Sequence, residues 1–210
     1  MAPIIEDNPH PYPHLITLLQ THLPHSLPVL RRLQFTTFPG GSTPDAHILY
    51  AHSPGPTLSS NDTPPPHFAV AYVDISKAPE TESWLYSSLE AFLPSSSASD
   101  RNVCVEQVLA LLMRMQDIEA AQKGRYAERR GRVMVGSMHD GVLELLLARG
   151  VRTSYRNLHD VWLFRVEDLP EIAGEGNGGK GVLDGEMRWD VARREDAALI
   201  QARTHLPKAE

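Results

Sequence analysis

The stretch "GSMHDG" sets Ser137, His139 and Asp140 almost side by side. These are the residue types of nucleophilic catalysis: a hydroxyl to attack, an imidazole to take its proton and a carboxylate to orient the imidazole. Residues so close in a chain rarely reach that geometry, and Ser137 is not set in a Gly-x-Ser-x-Gly elbow. The sequence instead expects Ser137 or Asp140 to cap the helix that follows. A second stretch, "LPSSSASDRNVC", places Ser95, Ser96, Ser97 and Ser99 where a strand gives way to a long helix. The backbone N–H groups at such a junction can hold a phosphate. Leu89 to Cys104, however, contains no glycine, and Arg101 is its only base. Asp100 at the helix start would repel a diphosphate, so the loop is expected to turn a corner rather than to cradle a ligand.

The ten histidines raise the question of a metal. His10 and His14 are separated by Pro11 and Pro13, which prevent the helix that would bring them to one face. His22 and His25 flank Pro24, and no cysteine pair or His-Glu-x-x-His run accompanies them. No metal site is expected. The glycine-rich run "EIAGEGNGGKGVLDGE" lacks a Gly-Lys-Ser/Thr ending and is followed by a strand-like segment, so it reads as a flexible linker. The basic run "RYAERRGR" (Arg125, Arg129, Arg130, Arg132) suits a solvated helix end.

Composition narrows the classes. Over 210 residues the formal charge is -6, which argues against a nucleic-acid or anionic-membrane surface. The single cysteine, Cys104, rules out an internal disulfide and suits a reducing compartment. No apolar run approaches the roughly 20 residues that span a bilayer. The opening "MAPIIEDNPHPYPH" lacks a basic n-region, so it does not read as a signal peptide. A cytoplasmic location is expected, with the nucleus as the alternative.

The elements that must position these residues follow from hydrophobic spacing. Residues 1–12 read as a disordered, proline-rich N-terminus. "HLITLLQTHL" is a helix with Leu15, Leu18, Leu19 and Leu23 on one face, and "HSLPVLRRLQF" is a second, capped by Ser26 with Pro28 in its first turn. "AHILYAHS", "HFAVAYVDIS" and "ESWLYSSLE" are strands close enough in sequence for an antiparallel meander. The long helix starts at Asp100 or Asn102 and carries Val105, Val108, Leu109, Leu112, Met115 and Ile118; Gly124 can end it. "RVMVGS" is a short strand, "HDGVLELLLARG" a helix closed by Gly150, and "DVWLFRVEDL" a strand. The alternation of strand and helix in this second half implies parallel pairing. The fold class is thus α/β, a mixed sheet flanked by helices. "MRWDVA" and "RREDAALIQARTHL" add a strand and a helix. Trp84, Trp162 and Trp189 fall in strands, and Trp189 would mark a partner surface if left exposed.

This order resembles that of the GNAT acyltransferase superfamily. "LQTHLPHSLPVLRRLQF" is similar to the opening of the N-terminal lobe of glycine N-acyltransferase-like proteins. "ETESWLYSSLE", "VMVGSMHDGVLELLLARG" and "HDVWLFRVEDLP" look like the same lobe in their fungal relatives. The resemblance implies a GNAT-like N-terminal lobe over residues 13–170, a linker over 171–185 and the start of a second lobe, or a strand-helix extension, over 186–210. It implies acyl-CoA or acetyl-CoA as co-substrate, a small-molecule amine as acceptor and no metal. It also implies a possible protein partner or second lobe at the Trp189 region. The family's pyrophosphate loop follows a Gln/Arg-x-x-Gly-x-Gly/Ala pattern that is missing here, so this lobe is expected to be degenerate or incomplete. The alternative is a non-catalytic module that binds a partner or an acyl ligand. No catalytic residue is assigned. If a cleft remains, topology would open it between the strand ending near Ser88 and "RVMVG". Ser87, Ser88, Ser137 and His139 would then be its cofactor-binding candidates.

Overall fold

The computed structural model describes residues 2–54, 65–77, 83–122, 133–154, 156–157, 182–183 and 187–188. Its first element is a strand, β1 (Ile4–Asn8), in the segment expected to be disordered. Helices α1 (Pro13–Thr21) and α2 (Leu27–Phe35) follow, then strands β2 (Ala46–His52), β3 (Phe68–Asp74) and β4 (Ser83–Ser87). Two 3-10 turns, Ser88–Ala91 and Leu93–Ser95, lead into the long helix α3 (Ala98–Ala121), and α4 (Asp140–Ala148) follows it.

The four strands form one antiparallel sheet in the order β1-β2-β3-β4. Register pairs Ile5 with Ala51, Leu49 with Ala71, and Ala71 with Leu85. Successive side chains of a strand point to opposite faces, so one residue set fills each side. Leu49, Ala51, Ala69, Ala71, Val73 and Leu85 pack with Val105, Val108, Leu111 and Met115 of α3 and with Val142 and Leu146 of α4. Ile48, Tyr50, Phe68, Val70, Tyr72 and Tyr86 pack with Leu15, Leu18 and Leu19 of α1 and with Val29, Leu30 and Leu33 of α2. Burying each such large side chain contributes about 1.5–3 kcal/mol. A sheet covered on both faces has no room for polar alternation, which is why β3 is buried along its whole length.

Several expectations change in detail. Leu23 is 47% exposed rather than on the buried face of α1, because α1 ends at Thr21. Ser26 occupies the N-cap position of α2, but its hydroxyl donates back to Leu19 C=O at 2.5 Å, tying the two helices together. Helix α3 starts earlier than Asp100 or Asn102: Ser97 is its N-cap. Instead of a strand, "RVMVGS" contributes a single parallel bridge, Val135 to Ser83, held by Ser83 N–H to Met134 C=O at 3.0 Å and Gly136 N–H to Ser83 C=O at 2.7 Å. Among the described residues the sheet itself is wholly antiparallel, and the expected parallel pairing is limited to that one bridge.

Helix α4 ends as expected at Gly150, whose φ of 88° is one that side chains other than glycine's resist. Residues 159–210 form a separate unit. In it Val182–Leu183, read from the sequence as linker, pairs antiparallel with Met187–Arg188. The expected strand at 160–169, the final helix, Gly124, the basic run and Trp162 and Trp189 lie outside the described residues.

Candidate functional site

The junction between β4 and α3 is the place where the sequence put its question. Ser97 caps α3 by accepting Asp100 N–H on Oγ at 3.1 Å. Asp100 answers with one carboxylate oxygen, Oδ2, which accepts from Ser97 N–H at 3.0 Å and from Ser97 Oγ at 2.7 Å. Its other oxygen, Oδ1, lies 3.1 Å from Nε2 of His67. This is a reciprocal capping box, and it meets donors that a bound phosphate would use. The hydrogen bonds from Ser97, with His67 adding to them, hold the Asp100 carboxyl below the usual carboxylate range, so the charge persists at neutral pH.

Two more hydroxyls of the loop turn inward on their own chain, and Ser99 is exposed. Ser95 donates to Phe92 C=O at 3.1 Å and Ser96 to Leu93 C=O at 2.7 Å. Arg101, the loop's one base, donates through Nε to Ser96 Oγ at 2.8 Å.

The four cofactor-binding candidates divide into two unconnected pairs. Ser87 and Ser88 are fully buried at the end of β4. Ser87 Oγ accepts Leu89 N–H at 3.3 Å, and Ser88 Oγ accepts Phe68 N–H at 3.0 Å while lying 3.9 Å from Cys104 Sγ. Both hydroxyls therefore close the strand end rather than face solvent. Ser137 is half-buried and His139 is exposed. His139, and not Ser137 or Asp140, is the N-cap of α4, its Nδ1 accepting Gly141 N–H at 3.1 Å. Asp140 takes the first helical position and pairs with Arg156, which also holds Glu144 at 2.7 Å. Among the described residues no hydrogen bond joins Ser87 or Ser88 to Ser137 or His139, and none joins Ser137, His139 and Asp140 to one another, so that trio forms no triad.

Sequence reasoning missed Glu90. It closes a second capping box, its Oε1 accepting Ser87 N–H at 3.0 Å. Burial pushes its carboxyl up to about 8, against the opposing pull of that hydrogen bond. The pattern Ser-x-x-Glu was the available signal, as Ser-x-x-Asp was for Ser97 and Asp100. Nearby, burial also raises the Cys104 thiol, which keeps it protonated and unreactive. His22 donates to or accepts from Tyr86 Oη at 2.9 Å, and burial together with the charge of His25 lowers its pKa.

The outer edge of β4 is only partly paired among the described residues. Phe68 N–H points at Ser88, and Ser83 directs both of its peptide groups outward to Met134 and Gly136. By the alternation of an antiparallel ladder, Leu85 also directs its N–H and C=O to that outer edge. Among the described residues no hydrogen bond joins Leu85 to the segment 133–139, which leads instead into α4. Among the described residues no cluster of three or more His, Cys, Asp or Glu is placed to hold a metal ion.

Two layers of helix around an antiparallel sheet, with a parallel neighbour on β4 and a long helix after it, define an α/β fold of the acyl-CoA N-acyltransferase type. The model of one family, the acyl-CoA N-acyltransferase verG N-terminal domain, matches residues 2–167. The chain belongs to that family. No curated protein and no solved structure matches the chain.

Proposed function

We propose that residues 13–170 act as a non-catalytic lobe of an acyl-CoA-dependent N-acyltransferase, with the segment after the 171–185 linker belonging to a second lobe. The observation that carries this reading is the closed start of α3. Asp100, with both oxygens engaged by Ser97 and His67, sits at the helix N-terminus where a coenzyme A diphosphate would need free N–H donors and no negative charge. The absence of glycine between Leu89 and Cys104 supports it, since side chains there keep a phosphate from the backbone. In such an enzyme the amine attacks the thioester carbonyl of acyl-CoA and coenzyme A leaves as the thiol. A base takes the amine proton and a backbone N–H polarises the carbonyl. This lobe would supply the rigid neighbour against which the reacting lobe is built. A cytoplasmic setting, where acyl-CoA is available and Cys104 stays reduced, fits that role.

A second reading is favoured by Leu85. An outward N–H and C=O on the outer edge of β4, without a partner among the described residues, suit an extended ligand that carries amide groups, which would add to the edge as a strand does. An acyl-pantetheine chain has that form and needs no phosphate loop.

Calorimetric titration of the 210-residue protein with acetyl-CoA, a long-chain acyl-CoA and the matching acyl-pantetheine separates these readings. No heat with any of them is the expected result. Equal affinity for acyl-CoA and acyl-pantetheine would favour the edge-binding reading. Micromolar affinity for acyl-CoA that is lost without the diphosphate would overturn both.

A further inference from the structure

Arg32, in the last turn of α2, lies on the face of the sheet opposite α3. Its guanidinium sits 4.1 Å from the ring centroid of Tyr72, 5.2 Å from that of Trp84 and 5.4 Å from that of Phe35. Three π faces hold the cation in place. They supply only one acceptor, Tyr72 Oη, which takes an N–H from a terminal nitrogen at 2.5 Å. Nε is buried and has no acceptor.

The acidic group in this neighbourhood is already served. Asp74 is fully buried, and its oxygens accept from Tyr72 Oη at 3.3 Å, Thr43 Oγ1 at 2.9 Å, Ser76 N–H at 3.1 Å and Ser76 Oγ at 2.6 Å. It makes no ion pair with Arg32. Among the described residues neither Arg32 nor its neighbour Arg31 is paired with a carboxylate, although the chain has 26 acidic residues against 20 basic ones. Arg31 reaches only Gln34 Oε1, at 3.2 Å. Beside this cation Phe35 is 51% and Phe38 62% exposed, with ring centroids 6.4 Å apart.

A guanidinium stacked on aromatic rings is oriented before any ligand arrives, and its planar fork matches a carboxylate better than an ammonium would. Exposed phenyl rings next to it would favour a ligand whose carboxylate is attached to an apolar body. We propose that Arg32, framed by Tyr72, Trp84 and Phe35 with Phe38 next to Phe35, binds the carboxylate of such a ligand, either a small organic acid or the C-terminal residue of a peptide.

The test uses the full chain labelled with 15N at arginine and titrated with phenylacetate. The Nε–H resonance of Arg32 should shift saturably, and 2-phenylethanol, which lacks the charge, should leave it in place. Arg32→Lys should weaken phenylacetate binding at least about tenfold, because the charge is kept and the fork is lost. Phe38→Ala should weaken it about threefold or more; this ring is exposed, so the variant keeps the fold if Arg32→Lys does not. A peptide ending in Phe with a free carboxyl group that binds about tenfold tighter than phenylacetate, while its amide does not bind, would assign a protein chain end. The reverse order would assign a small acid. No saturable shift up to about 50 mM phenylacetate, or equal affinity in the Phe38→Ala protein and the parent, overturns the proposal.

Discussion

A carboxylate at the third position of a helix uses the donors that an incoming phosphate would need, and Asp100 uses them through both Ser97 N–H and Ser97 Oγ. Ser97→Ala should cost about 1 kcal/mol of unfolding free energy in urea, with the slope of the transition unchanged. Asp100 and Glu90 close similar boxes yet depend on pH with opposite sign. The folded pKa of Asp100 is depressed, so its contribution is present above the ordinary carboxylate value and fades as pH falls through the folded one. Glu90 is raised by burial to about 8, so the folded protein keeps its proton where the unfolded chain has lost it. Stability is then lost as pH rises from the ordinary carboxylate value through 8. Glu90→Gln should therefore exceed the parent in stability by about 1–2 kcal/mol at pH 9, with the gap closing towards pH 4.5. Denaturant titrations at the two pH values check it, and an unchanged gap would mean that Glu90 is already ionised in the folded state. From sequence the four loop serines looked alike, since composition gives no phase for the helix start. Only the three-residue spacing to an acid separates Ser97 from Ser95 and Ser96.

At the scale of elements, β2, β3, β4, α1, α2 and α3 were legible because each buries a periodic apolar face. β1 was not. Its five residues, Ile-Ile-Glu-Asp-Asn, lie between Pro3 and Pro9 and include two acids, a composition that also suits disorder. What holds β1 is a pairing no local pattern reveals. Asp7 meets His47 Nδ1 of β2 at 2.9 Å and both Nε and a terminal nitrogen of Arg114 on α3, at 3.2 and 2.7 Å. On the other face of the strand Glu6 lies 3.3 Å from His52 Nε2. Asp7→Asn should leave the sheet intact and loosen the strand. Hydrogen exchange at Ile5 to Asn8 should quicken about tenfold while the amides of β3 keep their protection, a local effect. Equal acceleration across the sheet would show that β1 is part of the cooperative core. The turn after α2 is held differently. A Cβ on Gly41 would fall 1.9 Å from the Phe35 carbonyl oxygen, so backbone itself occupies the space. Gly41→Ala should cost about 1–3 kcal/mol in thermal or urea unfolding.

For the molecule as a whole, the question is how much chain the fold needs. Both core clusters are built from described residues between Ile5 and Val151, on the two faces of one sheet. The family match ends at residue 167, and the contacts of the chain divide at 158 and 159. A sheet buried on both faces by helices within that span has the area to be stable without further segments. Residues 2–167 alone should therefore melt in one cooperative transition, within about 4 °C of the 210-residue chain, a difference of about 1 kcal/mol at this size. A broad, non-cooperative melt would mean that the sheet needs a contribution from beyond residue 167. The same fragment carries a second test of the closed α3 start. A ligand at a hundred times its dissociation constant stabilises by about 2.7 kcal/mol, which would raise the midpoint by several degrees. Acyl-CoA should leave the midpoint unchanged, since the Asp100 carboxylate sits at the start of α3, bonded to Ser97, and no glycine opens the backbone to a diphosphate. Phosphate recognition depends on backbone approach, so the lack of glycine between Leu89 and Cys104 is the part of the proposed reading that the sequence carries. The contact of Asp100 with Ser97 and His67 is readable only in three dimensions, because His67 comes from the residue before β3.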